Sequence, residues 1–363
     1  MRGNAASESL RICLVANSRF PISEPFTGGL ESMTWHLARE LIRRGHDVAV
    51  FAAPGSDPAL GVVELQVDAL PDHAGRHDVG APPYVEVAEH HAYLALMLEL
   101  SGPAGERFDV LHNNSLHYLP VAMSGSVPMP VLTTLHTPPL WWLESAVRLD
   151  RGASSFAAVS RFTAASWAPI TDSICVPNGI DVDRWPEGPG GGSAVWSGRI
   201  VAEKAPHDAV RAARGAGIPI VLAGPVLDVD YFRAHVEPLL GSDAAYAGHL
   251  PQTELAALVG SSCVAVVTPA WDEPYGLVAA EALACGTPVA AYARGGLPEV
   301  LTEETGRLAQ PGDVELLASA IGESALLDRG RCREHAIADL SLTRMVDRYE
   351  QLYAELVGHR LAA

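Results

Sequence analysis

Short apolar runs alternate along the chain with longer stretches whose apolar residues recur at helical spacing. Arg11-Ile12-Cys13-Leu14-Val15-Ala16 is apolar after its first residue and ends at Asn17-Ser18, which predicts a buried strand and a turn. Over 30–44, Leu30, Met33, Trp35, Leu37, Leu41 and Ile42 mark one helix, and Gly45-His46 stops it. Asp47-Val48-Ala49-Val50-Phe51-Ala52 is the next strand. Strand, helix, strand makes one βαβ unit, whose sheet is expected to be parallel. Further strands are expected over 109–111, 130–135, 157–159 and 174–176. Pro186, Pro189 and Gly190-Gly191-Gly192 then break the pattern and predict a flexible connector. A second strand series follows over 194–197, 219–223, 244–247, 263–267 and 288–291, with helices between. The chain ends in helical segments over 314–327 and 341–357.

This alternation predicts an α/β protein of two doubly wound, Rossmann-like domains. Ligands in such sheets lie beyond the carboxyl ends of the strands, and two facing edges make a cleft. The expected boundaries are a first domain over 1–185, a second over 193–340, and a terminal helix over 341–363.

Composition narrows the function classes. Among 363 residues, 25 Lys and Arg stand against 43 Asp and Glu, a net charge of −18. So acidic a surface argues against nucleic acid and against docking on anionic lipid through a basic patch. The five cysteines are scattered and form no C-x-x-C pair, which points to a reducing compartment. Residues 1–9 lack the apolar stretch of a signal peptide, and the apolar run over 92–98 is too short to span a bilayer. A cytoplasmic protein is the expectation.

The most informative stretch is Glu273-Pro274-Tyr275-Gly276-Leu277-Val278-Ala279-Ala280-Glu281. It follows the apolar run over 263–267 and leads into helix formers over 277–284, broken only by β-branched Val278. The order is strand, loop, helix. Glu273 falls in the loop and Glu281 about a turn and a half into the helix. The N–H groups of Gly276, Leu277 and Val278 then lack intrahelical partners, and such a helix end attracts phosphate. A diphosphate held there has a carboxylate on each side, a geometry that suits a nucleotide-sugar.

The same stretch resembles the E-x7-E element of retaining nucleotide-sugar glycosyltransferases of family 4, which have the two-domain GT-B fold. Other segments match in order. They are Gly28-Gly29 after the first strand, Thr134-Leu135-His136-Thr137-Pro138, Val176-Pro177-Asn178-Gly179-Ile180-Asp181, Ser197-Gly198-Arg199 with Lys204, and Ala284-Cys285-Gly286-Thr287-Pro288-Val289. The resemblance covers about 11–301.

The resemblance implies roles. Arg199 and Lys204 would stabilise the charge that grows on the leaving diphosphate, Arg as a planar fork and Lys as a point charge. Glu273 would contact hydroxyls of the transferred sugar, Glu281 would hold the ribose, and His136 would meet the donor sugar. Arg199, Lys204, Glu273 and His136 are therefore the candidate catalytic residues. Gly28, Gly29, Ser197, Gly198, Leu250, Tyr275, Gly276, Leu277, Val278 and Glu281 are the candidate donor-binding residues, with Leu250 in the turn that lies against the base. His112-Asn113-Asn114, at another strand end, is a candidate for acceptor contact. Gly295-Gly296 with Glu299 reads as structural. The sequence departs from the family at Lys204-Ala205-Pro206, where Lys-Gly is usual.

No D-x-D pair follows a strand of the first domain. Asp181-Val182-Asp183 has the spacing but belongs to the interdomain segment. Transfer is thus expected to need neither metal nor cofactor. The expected activity is movement of a sugar, from a UDP-sugar in the first instance, to a hydroxyl of a small soluble acceptor. The loop over 54–83 is expected to help choose that acceptor. A membrane-lipid acceptor is the alternative, but the helix over 30–44 carries only Arg39, Arg43 and Arg44 against Glu31 and Glu40. A non-catalytic nucleotide-sugar-binding protein is a second alternative. A dinucleotide oxidoreductase would need G-x-G-x-x-G after the first strand, and Gly28-Gly29 is not that pattern.

Overall fold

The computed structural model describes residues 9–65, 80 and 82–362. Among the described residues, thirteen strands form two parallel sheets. The first contains β1 (Arg11–Val15), β2 (Asp47–Ala52), β3 (Val63–Glu64), β4 (Val110–Asn113), β5 (Val131–Leu135), β6 (Ser154–Ala158) and β7 (Ile174–Cys175), in the order β3-β2-β1-β4-β5-β6-β7. The second contains β8 (Ala194–Ser197), β9 (Ile220–Ala223), β10 (Ala244–Tyr246), β11 (Val264–Val267), β12 (Val289–Tyr292) and β13 (Gly306–Ala309), in the order β10-β9-β8-β11-β12-β13. The chain forms an α/β structure of two domains.

The strands read as near-continuous apolar runs because both faces of each sheet are covered by helices. β1 is buried from Ile12 to Val15 and sits in register between β2 and β4. Strand order reverses beside β1 in one sheet and beside β8 in the other. Loops after β1 and β8 therefore open into a crevice at each switch point, where α/β sheets bind ligands.

The last helix, Leu342–Ala362, packs on the first sheet. Leu342, Met345, Val346, Tyr349, Leu352 and Tyr353 share one apolar core with Ile12, Leu14, Leu37 and Leu41. Polar contacts fix its register. Tyr353 Oη lies 2.6 Å from His112 Nδ1, and Arg44 Nη1 donates to Asp347 and Glu350 at 2.6 Å each.

The segment 186–192 differs from its expectation. It is not a free connector but is seated on the second domain. Gly188 N donates to Cys285 O at 3.1 Å and Gly190 N to Gly260 O at 2.9 Å. Arg329 Nη2 reaches Gly188 O at 3.3 Å and Gly260 O at 2.9 Å. Glycine and proline supply permissive backbone there, and the second domain offers that backbone hydrogen-bond partners. The chain crosses between domains elsewhere. Ile180 N donates to Leu340 O at 2.9 Å and Leu342 N to Ile180 O at 2.8 Å, so both crossings lie side by side.

Candidate active site

The carboxyl edges of the two sheets face one another across a cleft of about 390 Å³. The first domain contributes Gly28, Gly29 and His136 to its wall. The second contributes Ser197, Gly198, Arg199, Lys204, Leu250, Glu273, Tyr275, Gly276, Leu277, Val278 and Glu281. All the candidate catalytic and donor-binding residues named from the sequence thus meet in one cavity.

Two loops carry the charges. β8 ends at Ser197, and Arg199 follows, its Nη2 2.9 Å from Glu203 Oε1. Lys204 closes the short turn Ala202–Lys204, and its Nζ lies 2.5 Å from Glu273 Oε2. The same carboxylate oxygen accepts from Trp271 Nε1 at 3.2 Å, and Lys204 Nζ sits 5.2 Å from the centre of the Trp271 ring. Thr268 Oγ1 donates to Lys204 O at 3.0 Å and Ala270 N to Glu203 O at 2.7 Å, which ties the loop after β11 to the loop after β8.

The helix Leu277–Ala284 begins at the cleft. Gly276 caps it with φ of 101°, a left-handed conformation that favours glycine. Its first amides face the cleft without intrahelical acceptors. Gly29 approaches the same helix closely: a Cβ there would lie 2.9 Å from Leu277 Cδ1, and the Leu277 side chain would have to shift. Leu277 packs against the cores of both domains. Glu281 is the fifth residue of the helix, and burial pushes its carboxyl up to about 7. Tyr275 differs from the rest. Its ring is buried in the second-domain core.

His136 follows β5. Burial holds its imidazole well below the ordinary range, at about 3, so it is neutral at physiological pH. Its Nε2 lies 3.0 Å from Asn114 Oδ1. An amide oxygen accepts, so Nε2 carries the proton and Nδ1 keeps a lone pair. His112 does not share the site. It is fully buried, with Nδ1 on Tyr353 and Nε2 2.8 Å from Thr134 Oγ1. Asn113 is likewise engaged, its Oδ1 accepting from Ser115 Oγ at 2.7 Å. Of the candidate acceptor trio, then, His112 and Asn113 are spoken for within the protein, and Asn114 acts on His136.

Sequence reading missed Glu31 and Trp271. Glu31 is buried in the cleft wall, with Oε1 3.3 Å from Asn17 Nδ2. Burial raises its carboxyl, while its own backbone, Asn17 and Arg199 oppose the rise. The available signal was a carboxylate two positions after Gly29, in a first helical turn. Trp271 stands two positions before Glu273. Much of the loop 54–83 lies outside the described residues. Among the described residues, no group of three His, Cys, Asp or Glu side chains converges as a metal site. Asp181 instead accepts from Asp183 N at 3.3 Å. No helix among the described residues is long and apolar enough to cross a membrane.

Comparison with known proteins bears on this cleft. The family described as Glycosyltransferase Family 4 matches residues 27–184, and that described as Glycosyl transferases group 1 matches residues 186–337. A glycogen synthase of Mycobacterium tuberculosis is 29% identical over 91% of this chain and 89% of its own length. A D-inositol 3-phosphate glycosyltransferase of Mycobacterium bovis is 29% identical over 92% of this chain and 80% of its own. Among solved structures, Anabaena HepE in complex with UDP and glucose aligns with a TM-score of 0.74 at 17% identity, over 96% of this chain and 100% of that one. Sucrose-phosphate synthase from Thermosynechococcus elongatus aligns at 0.75 and 19% identity over the same shares, 96% and 100%. These structures have the GT-B fold.

Proposed function

Since the chain belongs to glycosyltransferase family 4, we propose that it moves a sugar from a UDP-sugar to a hydroxyl of a small soluble acceptor, with retention of configuration and without a metal. The observation that carries this reading is the convergence of Arg199, Lys204 and the open amides of the helix Leu277–Ala284 on one cleft, flanked by Glu273 and Glu281. The complexes of HepE with UDP and with UDP-glucose support the choice of nucleotide.

The chemistry follows from the charges. The diphosphate lies against the helix start, where amides and the helix dipole favour an anion. As the sugar–phosphate bond breaks, the new negative charge falls to Arg199 and Lys204, which bind the leaving group more strongly than the intact donor. Lys204 has three donors, so it can keep Glu273 while contacting phosphate. Glu273 accepts hydrogen bonds from the transferred sugar. His136, neutral with a free Nδ1, accepts one from a sugar hydroxyl. Glu281 accepts from the ribose diol. Acceptor attack on the face the diphosphate leaves, with phosphate oxygen taking the proton, retains configuration.

A panel of nucleotide-sugars tests this, with mass spectrometry reading the released nucleoside diphosphate with and without acceptors. The expected result is slow hydrolysis of a UDP-sugar alone and faster transfer to a sugar or polyol. Binding of the panel with no turnover of any member would favour the non-catalytic alternative. A β-linked product from an α-linked donor would end the retaining assignment.

A further inference from the structure

The turn Gly295-Gly296 and Glu299 form a bridge between the domains. Gly295, with φ of 63°, is pressed against the donor loop: a Cβ there would lie 2.0 Å from Glu273 O and 2.5 Å from Glu273 N. Gly296 N donates to Glu273 O at 2.7 Å. Three residues on, the Glu299 carboxylate reaches the first domain. Its Oε1 accepts from Phe162 N at 2.7 Å, and its Oε2 from Arg161 N at 2.9 Å and Arg161 Nε at 3.3 Å. The same part of the first domain holds the donor loop directly. Ser160 Oγ donates to Pro274 O at 2.6 Å, and Thr163 Oγ1 to the same oxygen at 3.2 Å. Five side-chain and backbone groups within 160–163 therefore grip both the loop that bears Glu273 and the turn that braces it.

We propose that Glu299 and Ser160 are positioning residues, which make the placement of Glu273 depend on contact between the domains. This rests on the reading of Glu273 as a donor-site residue. The residues of the donor loop have carbonyl oxygens at 273 and 274, and these are taken by Gly296 on one side and by Ser160 and Thr163 on the other. When the domains part, the carbonyl of Pro274 and the amides of Arg161 and Phe162 lose their partners together. The loop then loses one of its two anchors, and the Glu273 carboxylate loses its fixed place beside Lys204. A displacement of about 1 Å at a reacting centre costs on the order of a hundredfold in rate. Both ends of the clasp are charge-assisted or buried, so it opens as a unit rather than bond by bond.

The test compares Glu299→Ala, Glu299→Gln, Ser160→Ala and Glu273→Ala in the full chain. Each is read by donor kinetics, UDP affinity by calorimetry, thermal midpoint, and amide exchange of peptides spanning 158–165 and 272–278. The expected result for Glu299→Ala is a fall in kcat of roughly tenfold or more, with UDP affinity within about threefold and the midpoint within about 4 °C of the parent. Both peptides should lose protection together, although they belong to different domains. Glu299→Gln keeps one acceptor oxygen and should recover part of the rate. Exchange rising only over 158–165, with kcat unchanged, would overturn the proposal and leave Glu299 as a local cap. A large drop in UDP affinity in Glu299→Ala would also overturn it, since the residue would then be serving binding. Full activity in Glu273→Ala would instead remove the donor-site reading on which the proposal stands. A wild type that turns over no donor leaves the exchange result to decide: coupled loss in the two peptides supports the clasp, and independent loss refutes it.

Discussion

Lys204 Nζ and Glu273 Oε2 are 2.5 Å apart, joining the loop after β8 to the loop after β11. The pair is mostly shielded from solvent. The cation assigned to the leaving diphosphate thus holds the carboxylate assigned to the donor sugar. An oriented pair of this kind lowers the reorganisation needed when charge moves during the reaction.

Lys204→Ala is expected to lower kcat by about 10²–10³, the loss found when one donor to a developing oxyanion is removed. UDP affinity should change less, because amides and Arg199 remain. Glu273→Gln should lower kcat as well, and the double variant should lose less than the sum, since one interaction is counted twice. Steady-state kinetics on the three proteins decides it. A raised KM with unchanged kcat in Lys204→Ala would show uniform binding and end its transition-state role.

Glu281 gives a pH dependence of known sign. Burial raises its carboxyl from 4.5 to about 7, so folding favours the protonated form. Stability associated with this group is highest below its unfolded value and falls as pH rises through about 7. Glu281→Gln should therefore raise the thermal midpoint more at pH 8 than at pH 5. Under the proposed role of Glu281, binding has the opposite slope, because ribose hydroxyls would donate to the ionised form. UDP affinity should increase from pH 6 to pH 8 by more in the parent than in Glu281→Gln, and calorimetry against that variant removes the contribution of phosphate ionisation. Equal slopes in the two proteins would take Glu281 away from the ribose.

Much of this was legible in the sequence, for identifiable reasons. The apolar runs gave the parallel strands because both sheet faces are buried, and the motifs that line the cleft fall at or after the carboxyl ends of strands. Tyr275, named as donor-binding, lines the cleft while its ring packs in the second-domain core, because an aromatic beside a glycine looks the same in sequence whether its ring enters a core or a cleft. The seating of the segment 186–192 on the second domain is not legible in the sequence, because composition reports what backbone can do, not what it touches. At Ala205, where Lys-Gly is the usual pair, φ is 43° and ψ is 52°, a left-handed conformation in which glycine is at ease and alanine carries a local cost of about 1–2 kcal/mol. The bridge made by Glu299 is not visible in the sequence, because its partners, the amides of Arg161 and Phe162, are 138 and 137 positions away in the chain.

EDTA is expected to leave activity unchanged. The argument is the donor set: the cleft gathers Arg199 and Lys204, and among the described residues no three metal-binding side chains converge. Activity lost on chelation and restored by magnesium or manganese would show that the donor arrives with a metal that the two cations do not replace.

The last expectation concerns where the molecule bends. Connection between the domains narrows to two adjacent crossings, at Ile180 and at Leu340 to Leu342, bonded to one another at 2.9 and 2.8 Å. Gly179 lies in the tightest part: a Cβ there would stand 2.5 Å from Ser341 O and 2.7 Å from Leu342 Cα. The segment 186–192 is fastened to the second domain and should travel with it. A donor that touches Gly29 and His136 on one side and Arg199 and Lys204 on the other binds the closed form with more contacts and so favours it. Small-angle scattering should show a smaller radius of gyration with saturating UDP-sugar than without. Gly192→Ala places a methyl in open space and should leave that response intact. Gly179→Ala forces the crossings apart and should blunt it, with UDP affinity at the second domain largely kept. Loss of the response in Gly192→Ala, with Gly179→Ala behaving as the parent, would move the hinge back to the glycine-rich segment. No change in radius at saturating donor, with binding confirmed by calorimetry, would mean that the cleft is already closed before the donor arrives.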